Sequence, residues 1–120
     1  MQSLLERLGG RDGLTVVVAG LVTRLAADPS LAGKLAGIPR VRCEACLVDY
    51  LAAALLGESC ALDGERLIER ARDMTGAERA AVVVHLFETL SAAGVGSSLS
   101  QEVVLRLAGV SRQSRVRRHT

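Results

Sequence analysis

Large aromatic side chains are almost missing from this chain of 120 residues. Tyr50 and Phe87 are the only ones, tryptophan is absent, and aromatic residues make up 2% of the composition. The hydrophobic core must therefore be built from Leu, Val and Ala. Such side chains pack closely on helices, but they rarely line a pocket that holds a flat aromatic ligand, which usually has aromatic walls.

Histidine is confined to one end of the chain, and cysteine is scarce. The only histidines are His85 and His119, so residues 1–84 contain none. The three cysteines are an odd number, which argues against a secreted disulfide framework. Glu6 and Arg7 interrupt the first apolar run, and no run reaches the roughly 18 residues of a membrane span. These absences predict a cytoplasmic protein with reduced thiols.

Positive charge is concentrated in the last ten residues. The chain carries a net charge of +2, but residues 111–120 hold four of its 15 basic residues and no acid. The remainder has 11 basic against 13 acidic residues, a net charge of −2. We therefore expect one domain at 1–110 and a basic, disordered tail at 111–120, with no specific nucleic-acid partner.

The apolar residues recur at three- and four-residue steps, which predicts an all-α fold. Gly9-Gly10 and Gly57 are helix stop signals, and Thr75-x-x-Glu78 and Ser98-x-x-Gln101 have the pattern of capping boxes. Nothing in the chain is typical of a strand. The four long helices predicted from these signals cover residues 12–27, 40–56, 76–93 and 98–110, and shorter helices are expected between them, including one at 65–72.

Four segments, in order and spaced over about residues 3–110, resemble the truncated haemoglobins of the first group. They are LLERLGG near the N-terminus, ADPSLAGKLAGI after the first long helix, YLAAALLG at 50–57 and VHLFETLSAAGV at 84–95. The resemblance implies a truncated globin-like helical sandwich made of two antiparallel helix pairs, 12–27 with 40–56 and 76–93 with 98–110. It also implies that haem and oxygen binding are the activities to look for.

The positions that serve haem in that family carry other residues in this chain. The resemblance places the oxygen-stabilising tyrosine at Val22, the phenylalanine pair at Lys34 and Leu35, the two distal-helix positions at Cys43 and Leu47, and the iron-binding histidine at Ala71, Arg70 or Arg72. We therefore expect that usual haem binding has been lost and that no cofactor is needed. The expected pocket consists of Val22, Leu35, Cys43, Leu47, Val82 and Leu86, and would bind a small apolar ligand or a protein partner.

Two other hypotheses remain open at this level. In the first, the chain binds haem and Cys43 replaces histidine as the iron ligand. In the second, the Cys43-x-x-Cys46 pair forms a thiol- or metal-dependent enzyme or sensor site with His85, because thiolates attack electrophiles and bind metals. A zinc site needs about four ligands, so Cys60 and His85 would have to complete it. Whether the protein is an enzyme is left open, with Cys43 and His85 as the candidate catalytic residues.

Overall fold

A computed structural model of the chain describes residues 3–58 and 66–118. All regular secondary structure in these two ranges is α-helical, as the sequence predicted. The helices are α1 Leu4–Arg7, α2 Gly10–Ala27, α3 Ala32–Leu35, α4 Arg40–Leu56, α5 Arg66–Arg72, α6 Gly76–Ala92 and α7 Ser97–Arg118. Within the described ranges, no helix is long and apolar enough to cross a bilayer.

Four long helices form the sandwich. α2 packs against α4 and α6, and α7 closes the arrangement by packing against α4 and α6. The short α1 fits among α2, α4 and α7, whereas the short α3 contacts α2 and α5. This confirms the predicted all-α sandwich and its two helix pairs, α2 with α4 and α6 with α7. The core is one aliphatic cluster to which α2 and α4 contribute most of the buried side chains.

Local sequence signals set most of the helix boundaries. Gly57 adopts a φ of 73°, a left-handed conformation that ends α4 and that glycine reaches without steric cost. At the start of α6, the Glu78 backbone N–H donates to Thr75 Oγ1 at 3.1 Å, and the Thr75 N–H donates to Glu78 Oε1 at 2.8 Å. This reciprocal pair is the predicted capping box.

The last helix differs from its prediction at both ends. α7 begins at Ser97 and continues to Arg118, so Ser98 lies inside the helix rather than capping it, and the end predicted at residue 110 is too early. The reason is that neither proline nor glycine follows Gly109 to end the helix, and arginine is a good helix former. The division into a domain at 1–110 and a disordered tail at 111–120 stays a prediction.

Where α2 and α6 cross, the buried face of α6 differs from the face that its apolar periodicity predicted. The apolar periodicity predicts that Val83 is buried together with Val82 and Leu86, but Val83 is 41% exposed, whereas Thr89 is buried. A Cβ atom on Gly20 would lie 2.9 Å from Thr89 Cγ2, so the absence of a side chain on α2 allows Thr89 to approach. The close contact therefore places the Thr89 edge of α6, together with Leu86 and Leu90, against the core.

Candidate functional site

The six predicted pocket residues all belong to the apolar core or pack against it, and we call this set of six the interior cluster. Three of them, from α2, α4 and α6, are buried, and the other three are half-buried and packed against the same core. The buried members are Val22, Cys43 and Leu86, and the half-buried members are Leu35, Leu47 and Val82. The fold therefore places side chains from four helices in or against the same core. Ligand binding there stays a prediction.

Cys43 is the one polarisable group in the interior cluster, and it is 2% exposed. Its thiol faces the Ile38 carbonyl oxygen, with 3.8 Å between Sγ and the oxygen. Burial raises the pKa of the Cys43 thiol above its ordinary value, and the positive charges of Arg70 and Arg40 only partly oppose this effect. The thiol is therefore protonated at neutral pH, and a protonated thiol is a poor nucleophile and a poor metal ligand.

The second cysteine of the predicted Cys-x-x-Cys pair is also buried. Cys46 is 6% exposed, and no disulfide bond joins Cys43 and Cys46. In residues 3–58 and 66–118, no three or more His, Cys, Asp or Glu side chains are grouped so that they could hold a metal ion. Cys60, the third candidate ligand, lies outside the described residues, so a metal site that includes it stays a prediction.

His85 is bonded to a carboxylate that the sequence analysis did not connect with it. Its Nε2 lies 2.7 Å from Asp28 Oδ2, and the other oxygen of Asp28 accepts hydrogen bonds from the Ser30 N–H at 2.9 Å and the Ser30 hydroxyl at 2.8 Å. The bond from His85, reinforced by those from Ser30, lowers the pKa of Asp28 to about 2. The two candidate catalytic groups thus have separate partners, Asp28 for His85 and the Ile38 carbonyl for Cys43, and a catalytic role for either stays a prediction.

Arg70 makes a second long-range polar contact that sequence patterns did not indicate. Its Nη1 donates to the Lys34 carbonyl oxygen at 3.1 Å and to the Ala36 carbonyl oxygen at 2.5 Å. The guanidinium thus joins α5 to the carboxyl end of α3, and it lies close enough to Cys43 to lower the pKa of that thiol. Arg70 is one of the three positions to which the resemblance assigns the iron-binding histidine.

A short sandwich of helices around an aliphatic core is the fold of a truncated globin. Comparison with known proteins agrees with this assignment. No family model matches the chain. However, it is 32% identical over 107 residues to the group 1 truncated haemoglobin GlbN of Mycolicibacterium paratuberculosis (strain ATCC BAA-968 / K-10), a match that covers 88% of this chain and 79% of the relative. The chain therefore belongs to the truncated haemoglobin family.

Solved truncated haemoglobins share the fold at lower sequence identity. The Fe(III) form of the Tetrahymena pyriformis protein superposes with a TM-score of 0.77 at 18% identity, over 92% of this chain and 96% of that one. The 2/2 haemoglobin of Synechococcus sp. PCC 7002, solved in the cyanomet state with covalently attached haem, gives a TM-score of 0.73 at 23% identity, over 89% and 91% of the two chains. At these identities the likeness establishes the fold alone.

Proposed function

We propose that this member of the truncated haemoglobin family works without haem, and that its interior cluster binds a small, neutral, apolar molecule. The main observation against haem binding is the bonding of Arg70. A guanidinium at one of the positions expected to bind iron is always positively charged and has no lone pair to offer a metal. In this chain it is instead engaged with the backbone carbonyls of Lys34 and Ala36.

The other candidate donors also fit haem iron poorly. His85 is the one histidine among the residues that the structure describes, and its Nε2 is bonded to Asp28. Cys43 could ligate iron only as a thiolate, and burial raises the pKa of its thiol. Haem ligation by Cys43 is therefore the weaker hypothesis, although haem is present in the solved Synechococcus relative.

The chemistry of the interior cluster supports an apolar guest. Five of its six members are aliphatic, and the sixth is a protonated thiol. The desolvation that disfavours the Cys43 thiolate would equally disfavour a charged guest, because an unpaired buried charge is costly. Removing apolar surface of the guest from water would favour binding by about 25 cal/mol per Å². The chemistry of the interior cluster therefore favours a neutral ligand without strong hydrogen-bonding groups.

The remaining hypotheses have less support. A thiol-dependent enzyme would need an ionised cysteine, but burial raises the pKa of the Cys43 thiol and Cys46 is also buried. A protein partner stays a prediction.

Binding of xenon, a small, neutral, apolar probe, tests the proposed apolar site. We expect a saturable change in the xenon NMR chemical shift with the full chain. Leu47→Asp places a charge in the interior cluster and should abolish this change. Val41→Asp is the matched control, because Val41 lies on the same helix but is 80% exposed, and it should leave binding unchanged.

Circular dichroism establishes that both variants keep their helices. If the folded Leu47→Asp and Val41→Asp variants bind the probe equally, the guest does not occupy the interior cluster and the proposal of an apolar site there is wrong. Absence of saturable binding to the unmodified chain would also contradict it. The absorbance spectrum with added haemin separately tests the proposal that the chain works without haem.

A further inference from the structure

The segment of residues 32–38, which we call the α3 flap, is held to the protein with little apolar burial. It consists of the four-residue helix α3 and the turn that follows, and none of its residues is buried. Gly37 in that turn has a φ of 78°, a conformation natural to glycine. Segments with few buried apolar contacts are those that open locally at low free-energy cost.

The flap has a firm anchor at its N-terminal side. Leu31, the residue before it, is 2% exposed and belongs to the core. Three residues earlier, Asp28 is bonded to His85 of α6 at 2.7 Å. Opening would therefore hinge after Leu31, and residues 28–31 would stay in place.

Polar contacts hold the free side of the flap. Arg70 donates to the carbonyl oxygens of Lys34 and Ala36 at 3.1 Å and 2.5 Å, and Lys34 Nζ lies 3.8 Å from Glu78 Oε1 on α6. Hydrogen bonds from a charged donor are stronger than those between neutral groups. The two hydrogen bonds from Arg70 are thus the stronger contacts of the flap, while the longer Lys34–Glu78 ion pair adds a weaker one.

The interior cluster lies directly behind the flap. Leu35 and Ile38 of the flap pack against the core, and the Ile38 carbonyl oxygen lies 3.8 Å from Cys43 Sγ. Displacing the flap would therefore uncover Cys43, which is 2% exposed when the flap is closed. We propose that the α3 flap opens locally as the entrance to the interior cluster and that Arg70 is its latch. Entry of a guest by this route rests on the proposed function, whereas opening of the flap does not.

The rate at which Cys43 reacts with methyl methanethiosulfonate measures the opening without any ligand. Cys46→Ala and Cys60→Ala in the full chain leave Cys43 as the single thiol. In this background, Arg70→Gln should accelerate labelling by about tenfold or more, because two charge-assisted hydrogen bonds are lost. Arg70→Lys, which keeps the charge but not the planar donor group, should give a smaller acceleration.

The matched control is Arg79→Gln. Arg79 Nη2 also donates to a backbone carbonyl, that of Arg72 at 3.3 Å, but that carbonyl lies outside the flap. Electrostatics alone predicts the opposite sign for Arg70, since its charge lowers the pKa of Cys43 and its loss would make the thiolate rarer. Faster labelling in Arg70→Gln therefore reports opening and not thiol chemistry.

Urea dependence separates local opening from global unfolding. Local opening exposes little surface, so the labelling rate at low urea should change little with urea concentration. The proposal is overturned if Arg70→Gln labels no faster than Arg79→Gln, or if the labelling rates of all variants follow the urea dependence of global unfolding. Either result concerns the flap alone and leaves the xenon-binding test unaffected.

Discussion

His85 Nε2 lies 2.7 Å from Asp28 Oδ2, and this contact joins the middle of α6 to the residue that ends α2. Asp28 also accepts two hydrogen bonds from Ser30, so its carboxylate fixes the start of the turn that leads into α3. The turn between α2 and α3 is thus organised by polar contacts, whereas the four long helices are held together mainly by aliphatic packing.

The Asp28 contact predicts a specific loss of stability in acid. The pKa of Asp28 is about 2 in the folded chain, below its ordinary value of 3.8. The stabilisation is therefore complete above about pH 4 and is lost as the pH falls towards about 2. Urea denaturation should show the free energy of unfolding of the unmodified chain exceeding that of Asp28→Asn at about pH 5, and the difference should shrink towards about pH 2. A difference that stays constant over this range would show that the carboxylate gains nothing from His85.

The crossing of α2 and α6 predicts a steric coupling between Gly20 and Thr89. A Cβ atom at Gly20 would lie 2.9 Å from Thr89 Cγ2, so Gly20→Ala should lower the free energy of unfolding by about 1–3 kcal/mol. Thr89→Ser removes that methyl group but keeps the hydroxyl that donates to the His85 carbonyl oxygen at 2.6 Å. The double variant should therefore lose less stability than the two single variants together.

Gly76→Ala is the matched control for that cycle. A Cβ atom at Gly76 meets no described atom within 4 Å, and its backbone conformation suits any residue. We expect an unchanged or slightly higher free energy of unfolding, because alanine restricts the unfolded chain. Strict additivity of Gly20→Ala and Thr89→Ser would contradict the inferred contact.

Ser100 on α7 predicts a stabilising substitution. Its side chain is fully buried, and no hydrogen-bond partner for its Oγ lies within the described ranges. Removing the hydroxyl relieves the cost of an unsatisfied buried polar group, so Ser100→Ala should raise the free energy of unfolding by about 1 kcal/mol. Thermal and urea denaturation measure the change, with exposed Ser98→Ala as the control. Lower stability in Ser100→Ala would mean that the hydroxyl has a partner in solution.

The long helices were predictable from sequence because their determinants are local. Glycine at 9, 10 and 57 and the box formed by Thr75 and Glu78 act within a few residues, and aliphatic periodicity predicts the buried stripe of α2 that includes Val17, Leu21 and Leu25. The same periodicity wrongly predicted that Val83 is buried. The contact of α6 with α2 depends on Gly20, which lies 63 positions away and therefore does not enter a local pattern. The end of α7 was also missed, because charged arginines continue a helix as readily as they form a solvated tail.

The polar contacts of the candidate site could not be predicted by the same reasoning. Asp28 and His85 are separated by 57 positions, and Arg70 and Lys34 by 36. Periodicity indicates which face of a helix is buried, but it does not indicate which charged side chain reaches a carbonyl on another element. The resemblance predicted six pocket residues, all of which belong to the core or pack against it, and their role as a binding site stays a prediction.

The absorbance spectrum of the purified full chain, recorded before and after addition of one equivalent of haemin, tests the central claim most directly. The Synechococcus haemoglobin, which contains haem in its solved structure, serves as the positive control. We predict no stoichiometric Soret band of protein-ligated haem for this chain, either as purified or after haemin addition and desalting. A Soret band that survives desalting at one haem per chain would contradict the claim that this truncated haemoglobin works without haem.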